Sequence, residues 1–254
     1  MSQPPGRIAV VAGVGNDIGL ATARKLSRHG YRIAVVDRKE SLCYRALEAV
    51  SADGGEAQAF TADVRLLHEA EAVITRIAED LGEPSVLVNN TSQLPEFAPS
   101  SLSGTAADWD SQLRSDLRAP YLLSNAARRH LTAQGWGRII TVARPLVNGE
   151  GRDLAAVAAV DGVRGLTKAL AVELGPHGVT VNAVLPGLIA TEQARTAADL
   201  AGTGFEEAHK AALDLIPAGR PGTPEEVAEA IWFFASDGAD FVNGQVLHVA
   251  GGPV

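Results

Sequence analysis

"RIAVVAGVGNDIGLATARKLSRHGYRIAVVD", residues 7–37, decides the fold. Two short runs of Val, Ile and Ala bracket a stretch of helical length. The first run ends in a cluster of glycines, Gly13, Gly15 and Gly19, and the second ends in an acid, Asp37. Near-continuous apolar runs are what strands covered on both faces require. Two such strands joined through a helix make a parallel βαβ unit.

The same alternation continues outward along the chain. Further strand candidates are "AQAFTADV", "SVLVNN", "GRIITVA", "VTVNAVLPG" and "QVLHVAGG". Helix candidates lie between them at 17–29, 40–52, 65–81, 108–129, 153–174 and 224–236. The last opens on Thr223 as N-cap, Pro224 in the first turn and two acids, a strong start signal. Strands alternating with helices predict an α/β fold: a doubly wound parallel sheet in three layers, as one domain over 1–254. No internal repeat or flexible linker divides it. The stretch 188–216 lacks a strand pattern and reads as a helical lid over the strand ends.

Composition bounds the function. The chain has 254 residues, 46% hydrophobic, with a formal net charge of -8. A chain of this length buries about 70–75% of its unfolded surface, so it needs no staples. An acidic surface without a Lys/Arg run argues against nucleic-acid binding. A single cysteine, Cys43, cannot form an internal disulfide. "MSQPPGR" carries no apolar targeting segment, and no apolar run reaches membrane-spanning length. The expectation is a cytoplasmic protein without membrane or nucleic-acid partners. No His, Cys and carboxylate cluster has metal-ligand spacing, so no metal is expected. Five histidines read as surface or strand residues, and His209 lies in the lid stretch.

The glycine turn carries the first chemistry. Glycines between a strand and a helix start let backbone N–H groups approach a phosphate. By itself the turn fits equally well a tight bend under a closely packed helix. Asp37 adds to it, because a carboxylate there accepts bonds from both hydroxyls of an adenosine ribose and repels a 2′-phosphate. A nicotinamide dinucleotide of the NAD type is the expected cofactor.

At this point the chain resembles the short-chain dehydrogenase/reductases, over nearly its whole length. Gly13, Gly15 and Gly19 fall on the family's glycine turn, "ADV" at 62–64 on its adenine-holding pair, and "VLVNN" at 86–90 on the start of its Asn-Asn-Ala-Gly. "VTVNAVLPG", "GRPGTPEEVAEAIWFFAS" and "VNGQVLHVAGG" are similar to family wording in the right order. The resemblance implies hydride transfer between a nicotinamide dinucleotide and an alcohol or carbonyl. It implies cofactor contacts from Gly13, Gly15, Asp17, Ile18, Gly19, Asp37, Asp63, Val64, Asn90, Pro186, Gly187 and Ile189. It also implies a homodimer or homotetramer built on the helices at 108–129 and 153–174. Gly162 and Gly165 in the second of these suit a close approach.

The catalytic pattern of the family is Asn, Ser, Tyr and Lys, and this chain departs from it. Tyrosine moves the proton, and a lysine four residues on lowers its pKa from about 10. Counting back from "GLTKALAVEL" puts Ala156 at the tyrosine position and Val160 at the lysine position. The serine position is Ala143 counted from the helix or Arg144 counted from the strand, and the asparagine position is Asp116. No Tyr-x-x-x-Lys occurs in the chain. The middle family glycine is Asp17, and Thr91-Ser92 replaces Ala-Gly. Two unit charges about 5 Å apart repel by roughly 3 kcal/mol at an effective dielectric of 20, so Asp17 would weaken diphosphate binding unless it faces solvent.

Three functional readings follow. The first is a non-catalytic binding subunit, paired with itself or with an intact relative, with negligible turnover alone. The second is an NAD-dependent oxidoreductase with improvised acid–base groups, Arg144 and Asp116 being the substitutes. The third is a lyase, isomerase or cyclase on the same fold. An Arg144–Asp116 salt bridge would replace the lost relay in the emptied pocket, competing with Arg114 or Arg118 as the partner of Asp116. Asp153 reads as the N-cap of its helix.

Overall fold

The computed structural model describes residues 6–92, 105–143, 154–200 and 202–253. Seven apolar runs form β1 (Ile8–Ala12), β2 (Arg32–Asp37), β3 (Ala57–Thr61), β4 (Pro84–Asn89), β5 (Gly137–Val142), β6 (Val179–Pro186) and β7 (Val246–Val249). They pair in parallel in the order β3-β2-β1-β4-β5-β6-β7. The chain order reverses between β1 and β4, so their carboxyl ends open a crevice, where doubly wound folds bind ligands.

Successive side chains of a strand leave opposite faces. Ile8, Val10 and Ala12 therefore join one core, and Ala9 and Val11 the other. The first core lies under α3 (Leu67–Asp80), α5 (Ala119–Ala133) and α6 (Leu154–Leu174); the second under α1 (Asp17–Arg28), α2 (Glu40–Ala52) and a C-terminal helix at Pro224–Ala235. That C-terminal helix starts as its sequence predicts. Thr223 Oγ1 accepts from Glu226 N (3.3 Å), and Thr223 N donates to Glu226 Oε2 (2.9 Å), a reciprocal cap of two orphan donors.

Two expectations need correction, on the helix at 108–129 and on His130. The helix at 108–129 is longer and is not one regular helix: α4 (Ala106–Leu113) and α5 flank a π-helical turn at Arg114–Arg118. That turn buries Ser115 and Asp116. The stretch 188–216, expected to be helical and without a strand, holds α7 (Glu192–Leu200), α8 (Phe205–Ala208) and α9 (Lys210–Leu213), with one isolated bridge from Ile189 to Gly222. His130 is buried rather than solvated, with its Nδ1 against Glu83 Oε2. The remaining differences are small: α3 begins two residues later and ends one earlier than expected, and the C-terminal helix, α10, ends at Ala235. Asp153 and its capping role lie outside the described residues.

Among the described residues no helix is long and apolar enough to cross a membrane, and no group of His, Cys, Asp and Glu could hold a metal ion. Gly178 shows how closely the loops at the far end of the sheet are packed. Its φ is +75°, and an added Cβ would lie 2.1 Å from Gly135 O. Gly178→Ala should cost about 1–3 kcal/mol from the backbone alone, and more from the clash, read as a lowered urea midpoint with unchanged slope.

Candidate active site and cofactor crevice

The crevice is built by a lock between two loops. Gly13 (φ +87°) ends β1, and an added Cβ there would sit 1.9 Å from Asn90 O. Gly19 opens α1, and an added Cβ would sit 2.2 Å from Gly13 O. The Asn90 side chain spans the two, donating from Nδ2 to Gly13 O (2.7 Å) and to Asn16 Oδ1 (2.9 Å). Asn16 in turn caps α1 by accepting from Gly19 N (2.9 Å). Asn16 was missed by the motif reading. Its signal was present, as an Asn one residue before a helix start is a preferred N-cap.

Asp37 closes the second wall. It is 7% exposed, its Oδ2 accepts from Gly15 N (3.0 Å) and its Oδ1 from Lys39 N (3.2 Å). Gly15 is needed for this approach, because a Cβ would lie 2.6 Å from Leu42 Cδ1 and 2.9 Å from Asp37 Oδ2. Beside them is a pocket lined by Gly13, Asp37, Arg38, Asp63, Val64 and Arg65, among others. Arg65 grips Asp63 through Nε (2.7 Å) and its own backbone N (3.2 Å). This guanidinium holds the Asp63 carboxyl below the usual carboxylate range. Arg38 and Arg65 were not anticipated at the pocket; Arg65, two residues after Asp63, is the part a spacing argument could have found.

The end of β6 leads into the stretch 188–216. Gly187 N donates to Val249 O (2.9 Å), and Gly222 N donates to Leu188 O (2.9 Å). Pro186 pairs with Val249, and Ile189 is buried in the core shared with Ile18 and Val14. Asp17 is half-buried and engaged at the surface: its Oδ2 accepts the backbone N–H of Glu192, the first residue of α7. His209 is tied up locally, with Nδ1 near Phe205 O (2.8 Å) and the two rings stacked at 4.4 Å.

Three of the residues that the resemblance counts onto the family's catalytic positions, Ala143, Ala156 and Val160, are all buried, at 3%, 1% and 2% exposure. Ala143 and Val160 form an apolar cluster with Val163, Ala183 and Leu185, against which Leu117 packs. Asp116, next to Leu117 in the π-helical turn, is buried, and its Oδ2 accepts from Gln112 Nε2. The expected partners Arg114 and Arg118 do not provide that bond. Thr91 Oγ1 donates to Ser115 O (2.9 Å), which ties the end of β4 to the same turn. Arg144, Glu150 and Arg152 lie outside the described residues, and so does the Arg144–Asp116 salt bridge. Gly162 makes room within the chain, since an added Cβ would meet Leu117 Cδ2 at 2.7 Å. Gly165 faces open space.

Comparison with known proteins places this arrangement. A sequence model described as enoyl-(acyl carrier protein) reductase matches residues 13–253. The chain belongs to the short-chain dehydrogenase/reductase family. It is 34% identical to the short-chain reductase protein NovJ of Streptomyces niveus, over 96% of this chain and 93% of that one. It is 31% identical to the (2S)-[(R)-hydroxy(phenyl)methyl]succinyl-CoA dehydrogenase subunit BbsD of Thauera aromatica, over 97% and 96%. Among solved structures, an actinorhodin polyketide ketoreductase variant crystallised with NADPH superposes with a TM-score of 0.89 at 32% identity, covering 99% of this chain and 98% of that one. The seven-stranded sheet and the crevice at the β1/β4 reversal are thus those of a short-chain dehydrogenase/reductase.

Proposed function

We propose that this chain serves a nicotinamide-dependent oxidoreductase of the ketoreductase or alcohol dehydrogenase kind. The observation that carries the reading is the crevice itself: a glycine turn that admits no Cβ, a buried Asp37 and the Asp63–Val64 pair around one pocket. The relatives matched over nearly the whole chain are named reductases and dehydrogenases. Those names support a working oxidoreductase better than a non-catalytic protein. Gly13, Gly15, Asp37, Asp63, Val64 and Asn90 would hold a dinucleotide, which when bound would supply the hydride chemistry.

A specific observation favours a second reading, that of a subunit whose acid–base chemistry is contributed elsewhere. The residues counted onto the family's Tyr and Lys positions, Ala156 and Val160, and Ala143, one of the two counted onto the Ser position beside Arg144, are packed out of water. One relative, BbsD, is itself named as a subunit of a dehydrogenase. A buried carboxylate, Asp116, is next in sequence to Leu117, which packs against the apolar cluster around Ala143 and Val160.

Turnover separates the two readings. Positioned acid–base help contributes about 10²–10⁴ in rate, so the purified chain should reduce a carbonyl panel about that much more slowly than a relative with Tyr-x-x-x-Lys. Rates equal to such a relative, lost in Asp116→Asn, would show a substitute proton donor. No turnover alone, with turnover gained on adding an intact relative, would establish the subunit reading.

Cofactor choice follows from Asp37. The related ketoreductase structure holds NADPH, but in this chain a buried carboxylate ends β2, and Arg65 is already engaged by Asp63. Titration calorimetry should give tighter binding of NADH than of NADPH, with the preference reduced or reversed in Asp37→Ala.

We also propose self-association, or association with an intact relative, through α4–α5 and α6. Val172 on α6 is 80% exposed, and Trp109, Tyr121 and Leu154 are exposed apolar side chains on the same helices. Light scattering at micromolar concentration should report a dimer or tetramer, and Val172→Glu should shift it toward monomer. A monomer both alone and with its intact relative would sink the idea.

A further inference from the structure

Asp17 is the first residue of α1, directly after the Asn16 cap, and so stands at the mouth of the crevice. Its partner is 175 residues away: the carboxylate accepts the backbone N–H of Glu192, where α7 begins. The first N–H groups of a helix have no partner within it, so they take whatever acceptor is within reach. Asp17 is that acceptor for Glu192, while Thr191 Oγ1 accepts from Ala194 N (3.2 Å). The leading helix of the lid is therefore fastened to the glycine turn, across the space between them.

We propose that Asp17 is a latch and an affinity-setting residue: it holds α7 against the glycine turn, and the diphosphate of a dinucleotide must displace it to bind. This rests on the cofactor reading above. Three observations support it. The turn is shaped by glycines that tolerate no Cβ, so its backbone is open to close approach. Asp17 places a negative charge on that turn. Its hydrogen bond takes up a lid N–H that faces the same opening. A diphosphate entering there meets a like charge and a closed lid together. The adenosine pocket at Asp37, Asp63 and Val64 lies beyond the latch and does not include Asp17 among its lining residues. Adenosine and a full dinucleotide should therefore respond differently to the residue.

The test compares wild type, Asp17→Gly and Asp17→Asn, each first shown to fold by urea titration. Affinities for NADH and for adenosine are measured by calorimetry, and the Glu192 amide is followed by hydrogen exchange. A like charge at about 5 Å costs roughly a hundredfold in affinity. Asp17→Gly should thus tighten NADH about ten- to a hundredfold, leave adenosine unchanged, and speed exchange at Glu192 at least about tenfold, the order expected when a protecting bond is lost. Asp17→Asn keeps an acceptor oxygen and should tighten NADH while largely keeping the protection. Unchanged NADH affinity in a folded Asp17→Gly, or unchanged exchange at Glu192, overturns the latch. If no variant binds either NADH or adenosine, the cofactor reading fails. Exchange at Glu192 then decides the latch alone: faster exchange supports it as a lid fastening, and unchanged exchange overturns it.

Discussion

The bridge made by the Asn90 amide fixes more of this molecule than its size suggests. It joins the end of β4 to the β1–α1 turn by bonds to Gly13 O and Asn16 Oδ1. Each such bond is worth only about 1 kcal/mol net. Its force comes from the geometry around it: Gly13 and Gly19 bring backbone within a distance that no side chain could occupy. Given that approach, α1 must start where it does, with Asn16 as its cap and Asp17 as its first residue. Asp37 must then meet Gly15 N. The crevice is a consequence of strand order, but its walls are set by this contact.

The anions around that crevice share a property. Asp63 is held by Arg65, Asp37 by two backbone N–H groups, and Asp17 by the first N–H of α7. Each carboxylate already has donors within the chain. A ligand that uses these groups replaces existing bonds rather than satisfying empty ones, so its net gain is the difference between two sets of hydrogen bonds. Only groups a ligand serves better than the chain does contribute to affinity. A ribose hydroxyl pair offers Asp37 two donors from one rigid group, whereas a diphosphate offers Asp17 none.

How much of this was legible in the sequence depended on the range of the interaction. The strands and most helices follow local periodicity, so residues 7–37 announced the βαβ unit, and Thr223-Pro224 announced the start of α10. Alternation and the family resemblance gave a doubly wound parallel sheet but not the order β3-β2-β1-β4-β5-β6-β7, since no local signal fixes which strands pair. The π-helical turn at Arg114–Arg118 had no readable signal, because one extra residue per turn leaves composition unchanged. Partnerships across long separations were unreadable: Asp17 with Glu192, His130 with Glu83, and Gly162 with Leu117. Gly162 is instructive. Its spacing with Gly165 suggested an interface, but the space one of them leaves is filled by a leucine of the same chain.

The long helix α6 shows why the fold keeps its shape where the catalytic pattern departs. Ala156 and Val160 face the sheet at full burial. A lysine at the position of Val160 would be an ammonium beside apolar side chains, and burial of such a charge is costly unless it is paired. Valine instead gains roughly 1.5–3 kcal/mol from burial of its side chain. Replacing a reactive, strained site by packing residues raises stability at the expense of chemistry, a general trade between the two. The helix therefore has no structural reason to regain its lysine. The side chains of Ala156 and Val160 carry no exchangeable proton, so these two positions of α6 offer none to chemistry in the crevice.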